Sequence, residues 1–128
     1  MNESTVQQFI QTEAMRYRCN LMRNNSGALL DSTGRPVRYG LGNISKEHNE
    51  RIKSSDLVGI TSIVITPDMV GKTIGVFTAV EVKEAAWNPD KKLDAREQAQ
   101  LNFINWVKSL GGYAGFANGV DKLQNILR

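Results

Sequence analysis

The chain contains one cysteine, one histidine and no long apolar run, and each shortage closes off a class of protein. Cys19 cannot form an internal disulfide. With only His48 beside it, it cannot supply the four Cys or His ligands of a structural zinc site. The stretch Met1-Asn2-Glu3-Ser4-Thr5 lacks the basic, apolar and small-residue segments of a signal peptide, and no run approaches the ~18 apolar residues of a membrane helix. These absences predict a soluble protein of the reducing cytoplasm with no membrane partner. No Gly-rich phosphate loop of the Walker type is present. Gly40-Leu41-Gly42 is too short for a dinucleotide fingerprint and lacks the strand-to-helix setting, so no nucleotide cofactor is expected. Without a repeat, a heptad run, a low-complexity tract or a visible internal boundary, the 128 residues read as a single domain, 1–128. A chain of that length buries roughly two-thirds of its unfolded surface.

What is present is an uneven distribution of charge. The net charge is only +3, yet residues 16–53 hold Arg16, Arg18, Arg23, Arg35, Arg38, Lys46, Arg51 and Lys53 against Asp31, Glu47 and Glu50, which makes that segment +5 and the remainder −2. A basic surface offered to phosphates, with acids reserved for a metal pocket, would produce this asymmetry. A solvated basic loop would produce it equally well.

Periodicity organises the chain into mixed elements. Val6, Ile10, Ala14, Tyr17 and Leu21 recur at helical spacing and predict a helix over about 5–20, capped by Ser4-x-x-Gln7 or Thr5-x-x-Gln8. The Gly-, Asn- and Ser-rich stretch that follows predicts a short strand or two between tight turns. Residues 40–53 have little periodicity and predict a mobile loop or a short helix. The β-branched run Asp56–Ile65 predicts a strand ended by Thr66-Pro67-Asp68. Residues 74–83 predict another, with Ile74, Val76, Val80 and Val82 on one face and Phe77, Ala79, Glu81 and Lys83 on the other. A helix over 93–110 follows, with Asp94 and Glu97 as a capping box and Phe103, Ile104, Val107 and Leu110 buried. Gln100 falls on that inward face and needs a partner there, whereas Gln98 aligns with Asn102 on the outer one. After Gly111-Gly112 come a strand at Tyr113–Ala117 and a short closing helix. The order implies an α/β fold, a mixed central sheet flanked by helices.

Glu81 and Lys83 therefore leave their strand on the same side, and Asp56 begins the strand before it. Carboxylates offer hard oxygen ligands to Mg²⁺ or Mn²⁺, and a neighbouring ammonium can orient a water or steady charge on a phosphate. That combination suits phosphodiester hydrolysis. A short hairpin would bring Asp56 to Glu81, and an apolar opposite face would make the second strand central. The competing structural explanation is an exposed charge pair on an edge strand. His48 reads as a surface residue, Trp87 and Trp106 as packing groups, with Trp87 also able to lie beside a nucleic-acid groove. Cys19 reads as an inert helical thiol.

Glu3-Ser4-Thr5-Val6-Gln7, Arg23-Asn24-Asn25-Ser26-Gly27-Ala28, Arg38-Tyr39-Gly40-Leu41-Gly42, Ser55-Asp56-Leu57-Val58-Gly59, Val80-Glu81-Val82-Lys83 and Gln100-Leu101-Asn102-Phe103 together resemble the VRR-NUC domain, the virus-type replication-repair nuclease branch of the PD-(D/E)XK superfamily. The resemblance runs through nearly the whole chain and implies a PD-(D/E)XK restriction-endonuclease-like core. It implies Glu3, Asp56, Glu81, Lys83 and Gln100 as site residues, with Glu13 as the fallback for the N-terminal acid. Asp56, Glu81 and the backbone carbonyl of Val82 would hold the divalent metal, and Lys83 would position the nucleophile. The usual proline before the aspartate is Ser55 here. Compact members of the family, often encoded by phages, act as homodimers that nick branched DNA, which implies a Holliday junction resolvase. Arg23, Arg35, Arg38, Lys46, Arg51 and Lys53 would contact the DNA. The alternatives are a flap or end-processing nuclease with the same metal site, and a catalytically silent DNA-binding module.

Overall fold

The computed structural model describes residues 2–127. The chain divides into two compact units, Met1–Gly59 and Ile60–Arg128, and the described residues form four α-helices and six strands in a mixed α/β arrangement. The strands pair two by two, β1 (Cys19–Arg23) with β4 (Leu57–Thr61), β2 (Gly27–Leu30) with β3 (Pro36–Tyr39), and β5 (Thr78–Val82) with β6 (Tyr113–Ala117). This differs from the one mixed central sheet that the sequence pattern predicts.

In the first unit, α1 spans Glu3–Ala14. Its cap is Asn2, whose side-chain oxygen accepts the Thr5 N–H at 2.9 Å, so neither Ser4 nor Thr5 takes that role. The helix stops earlier than its periodicity predicts. One 3₁₀ turn, Met15–Tyr17, leads to Arg18 in the left-handed region at φ 58°, and β1 begins at Cys19. Leu21 keeps the helical spacing by coincidence, because Cys19, Asn20, Leu21 and Met22 are all half-buried and show no strand alternation either. Gln11 ties α1 to β1 by donating its amide to the Leu21 carbonyl at 3.2 Å.

The β2–β3 hairpin is antiparallel, from Gly27 opposite Tyr39 to Leu30 opposite Pro36. Its turn is organised by Asp31, whose Oδ1 accepts from the Thr33 hydroxyl at 2.7 Å and from the Thr33 and Arg35 amides at 2.9 Å. Residues 40–53 include a short helix, α2 (Lys46–Arg51), capped by Ser45. Asn24 fixes the approach to β4: its amide donates to Ser54 Oγ and the Ser55 carbonyl, both at 2.8 Å, and its own N–H donates to the Asp56 carbonyl. A Cβ at Gly59 would run into the backbone oxygen of Asn20, so glycine is what lets β4 lie against β1.

The second unit holds the buried apolar residues of the described chain. Ile60, Ile104, Val107 and Ala114 form a core to which Phe77, Ala79, Trp106, Leu110 and Phe116 add. β4 ends at Thr61, short of the expected Ile65, and Ile63, Val64 and Ile65 are exposed. Residues 62–77 then run to β5 through a 3₁₀ turn at Pro67–Met69, so the expected short hairpin is not formed and β5 takes β6 as its partner. The β5–β6 pair is parallel, from Thr78 opposite Tyr113 to Val82 opposite Ala117. Parallel neighbours need a crossover, and α3 (Ala95–Ser109) supplies it.

The capping box forms as expected: Asp94 accepts the Glu97 N–H at 2.8 Å, and Glu97 accepts the Asp94 N–H at 3.2 Å. At the other end Gly111, at φ 93°, and Gly112 donate to the carbonyls of Lys108 and Val107 in a Schellman closure. Ile104 and Val107 are buried, but Phe103 is 41% exposed and leans on Trp106 with ring centres 5.8 Å apart. The residues of β5 alternate between faces as expected, but the face bearing Val80 and Val82 is the more exposed one. Val82 is 75% exposed, while Ala79 and Glu81 are half-buried on the side of α3. Small Ala79 and neighbouring Phe77 let that side join the core, which carries the charged pair inward with it. The unit closes with α4 (Leu123–Ile126), whose Ile126 is buried.

Candidate functional site

The polar centre of the second unit is a chain of four side chains: Glu81 on β5, Lys83 just past its end, and Glu97 and Gln100 on α3. Lys83 Nζ donates to Gln100 Oε1 at 2.7 Å, and Gln100 Nε2 donates to Glu81 Oε1 at 2.8 Å. Glu97 Oε2 lies 3.8 Å from the same ammonium. The ladder bond from Lys83 N–H to the Ala117 carbonyl carries the strand period one residue past β5, which turns Glu81 and Lys83 to one side, and one helical turn places Glu97 and Gln100 on one side of α3. The amide of Gln100 thus reads both ends of the Glu-x-Lys pair, and the inward glutamine has the partner that its position demands.

Glu97 is 5% exposed, a buried acid. Its Oε2 also accepts the Trp87 indole N–H at 2.6 Å, and its Oε1 is occupied by the Asp94 amide. The Trp87 bond first, then the Asp94 amide, hold its carboxyl below the usual glutamate range against the opposing effect of burial, with Lys91 and Lys83 adding charge attraction. Lys83 lies 5.8 Å from the Trp87 ring centre and 5.4 Å from that of Phe116, within cation–π reach. An ammonium held between a carboxylate, an amide and two aromatic rings has little freedom left, and an immobile cation is what stabilisation of developing charge requires. Glu97 and Trp87 were not singled out by sequence reasoning as members of this group. Glu97 does fall three residues before Gln100 on the same helix face, and that spacing was the available signal.

The second unit therefore brings together Glu81, Lys83 and Gln100. Asp56 and Glu3 belong to the first unit, where both are exposed, Asp56 just before β4 and Glu3 in the first turn of α1. Glu13 is exposed and pairs with Arg16 at 3.1 Å. Arg23, Arg35, Lys46, Arg51 and Lys53 are exposed, and half-buried Arg38 donates to Asn43 at 3.2 Å. His48 sits on α2 rather than in a loop, half-buried, and Cys19 lies on a strand rather than a helix.

The donor types of the second unit fit a hard divalent ion. Gln100 engages one oxygen of Glu81 and leaves the other for a cation. The bonds from Tyr113 N to Phe77 O and from Lys83 N to Ala117 O direct the odd-numbered β5 residues toward β6, which sets the Val82 carbonyl on the opposite edge. Glu97 is spent on Trp87, Asp94 and Lys83. Among the described residues, no group of three or more His, Cys, Asp or Glu side chains gathers around a metal position, and no helix is long and apolar enough to cross a membrane. Comparison of the chain with family models, curated proteins and solved structures finds no match.

Proposed function

We propose that the chain is a divalent-metal-dependent, structure-selective DNA endonuclease with a PD-(D/E)XK core of the VRR-NUC kind, acting as a homodimer on four-way junctions in the cytoplasm of a bacterial or phage-infected cell. The observation that carries this reading is the Glu81–Gln100–Lys83 relay, in which the glutamine of one motif bonds both residues of another. The sequence resemblance adds Asp56 as the companion metal ligand and Glu3 as a further acid, and the exposed basic residues of the first unit supply phosphate contacts. Bound Mg²⁺ or Mn²⁺ would polarise the scissile phosphate and acidify a water. Glu81 and the Val82 carbonyl would hold the ion, and Lys83 would steady charge on the phosphate and orient the attacking water. Gln100 keeps carboxylate and ammonium apart yet aligned, and Glu97 anchors the ammonium from behind. Two such sites related by a two-fold axis would nick two symmetric strands.

The test is cleavage of a labelled four-way junction beside matched flap, linear duplex and single-stranded DNA with Mg²⁺ or Mn²⁺. Paired symmetric nicks confined to the junction are expected. Glu81→Ala, and separately Asp56→Ala, should lower the rate by about 100-fold or more with a melting temperature close to that of the parent. Cutting of flaps or duplex in preference to the junction would overturn the junction assignment. Binding with no cutting under either ion would leave a silent DNA-binding module.

A further inference from the structure

The second unit also carries an open cleft of about 390 Å³, walled by Trp87, Leu93, Leu101 and Phe116, with Asn118 and Lys122 as its polar lining. We propose that this cleft takes one unpaired nucleobase of the DNA, stacked on Trp87, with its backbone phosphate toward Lys122; the assignment rests on the nuclease reading above and names the feature of branched DNA that the site selects.

The walls are apolar and aromatic, and the lining cation is positive, which suits a flat ring tied to an anion. Lys122 has an acidic neighbour, Asp121, at 3.8 Å, but the aspartate is 74% exposed and such surface pairs hold weakly. The volume lies at the lower end of the ~300–1,000 Å³ range of small-molecule clefts, enough for one base and too little for a duplex. The platform is already set. The Trp87 indole N–H is held by Glu97, and the Trp87 carbonyl accepts from Asn118 Nδ2 at 3.1 Å, so stacking would order little that is not ordered beforehand. Asn118 also gives its amide to the Ala85 carbonyl at 3.4 Å, which leaves its Oδ1 to accept from a base edge. The cleft and the Lys83 group share the rings of Trp87 and Phe116, both of which line the cleft and have their centres within 6 Å of the ammonium. A nucleotide seated there would lie against the same rings that the Lys83 ammonium approaches. Flaps and ends present unpaired nucleotides and intact duplex does not, and a four-way junction presents one when a base pair at its branch point opens, so occupancy of the cleft would itself discriminate structure. Base stacking on an aromatic ring tolerates any sequence, as a structure-selective enzyme requires.

The full chain carrying Trp106→Phe retains Trp87 as its one tryptophan, and its fluorescence reports the cleft. The probes are a thymidine pentanucleotide and an abasic pentanucleotide of the same backbone. The base-bearing probe should quench Trp87 saturably and the abasic probe should not. Leu101→Phe, which narrows the cleft, and Lys122→Gln, at a side chain 43% exposed, should each weaken the thymidine probe by about fivefold or more. Equal quenching by both probes would overturn the proposal, as would quenching untouched by either substitution in chains that melt like the parent. If Leu101→Phe fails to fold, Lys122→Gln decides. Junction cleavage on the same preparations separates the two readings. Cleavage without base-dependent quenching sinks the cleft and leaves the nuclease, whereas base-dependent quenching without cleavage under any divalent ion sinks the nuclease and leaves a base-binding cleft.

Discussion

Glu97 is the residue on which the second unit turns, because one carboxylate closes the start of α3, fixes the Trp87 indole and faces the Lys83 ammonium. Its carboxyl is held below the usual range chiefly by the Trp87 bond, and that of Asp31 chiefly by the Thr33 hydroxyl. In both cases the unfolded chain takes up the proton at a higher pH than the folded one. Stability is therefore full at neutral pH and falls once the pH drops through the ordinary carboxylate range, near ~4, toward the lower folded values. Urea titrations between pH 3 and 7 should show this decline, with a shallower acid limb in Glu97→Gln than in the parent. An unchanged acid limb would remove Glu97 from the account. Sequence reasoning placed Gln100 inward and required a partner for it, because helical spacing alone decides which side of a helix a residue takes. It did not reach the second role of Glu97, since the capping box already explains a glutamate at that position and nothing in the spacing shows that its other oxygen faces β5.

At the scale of elements, the β5–α3–β6 crossover positions the site, and its helix was legible at both ends because caps are local chemistry: Asp94 with Glu97 at the start and Gly111 at φ 93° past the end. Asp94→Ala should cost about 1 kcal/mol and Asp94→Ser much less, read from urea midpoints with unchanged slopes. A loss equal in both variants would mean that the cap is not the source. The strands were less legible. Ile63, Val64 and Ile65 have strand chemistry, yet they lie beyond the end of β4 and are exposed, because β propensity records fitness for a pleated, half-buried surface and does not create a partner strand. α1 was overextended for a related reason. Apolar residues at helical spacing continue through Leu21, and only the left-handed Arg18 shows where the helix gives way to β1. Val80 and Val82 outweigh Ala79 in hydrophobicity, yet the Ala79 and Glu81 face of β5 is the less exposed one, because close packing against α3 favours the small residue.

At the scale of the molecule, charge and core are divided between the two units. The six candidate DNA-contacting residues, Arg23 to Lys53, belong to the first, and that bias was legible because charge can be counted without knowing the fold. The division itself was not, since no proline- or glycine-rich linker marks it and β4 runs across it. Among the described residues, the buried ones all lie in the second unit and none in the first, where Leu29, Leu30, Val37 and Tyr39 of the hairpin are exposed. Protection against amide exchange follows buried apolar contact as well as hydrogen bonding, and regions poor in such contact open at low free-energy cost. Amides of β5, β6 and the Ile104–Val107 turn of α3 should therefore exchange slowest. The β2–β3 amides should exchange well before them, although their ladder is equally regular. The measurement is peptide-resolved hydrogen exchange on the full chain, repeated with a four-way junction. If the free chain protects residues 27–39 as strongly as 78–82, the core is not confined to the second unit. If the junction slows exchange in α2 and residues 40–53 while β5 and β6 remain as they were, the basic segment is the surface that orders on DNA, and exchange in that segment unaffected by the junction would assign the phosphate contacts elsewhere.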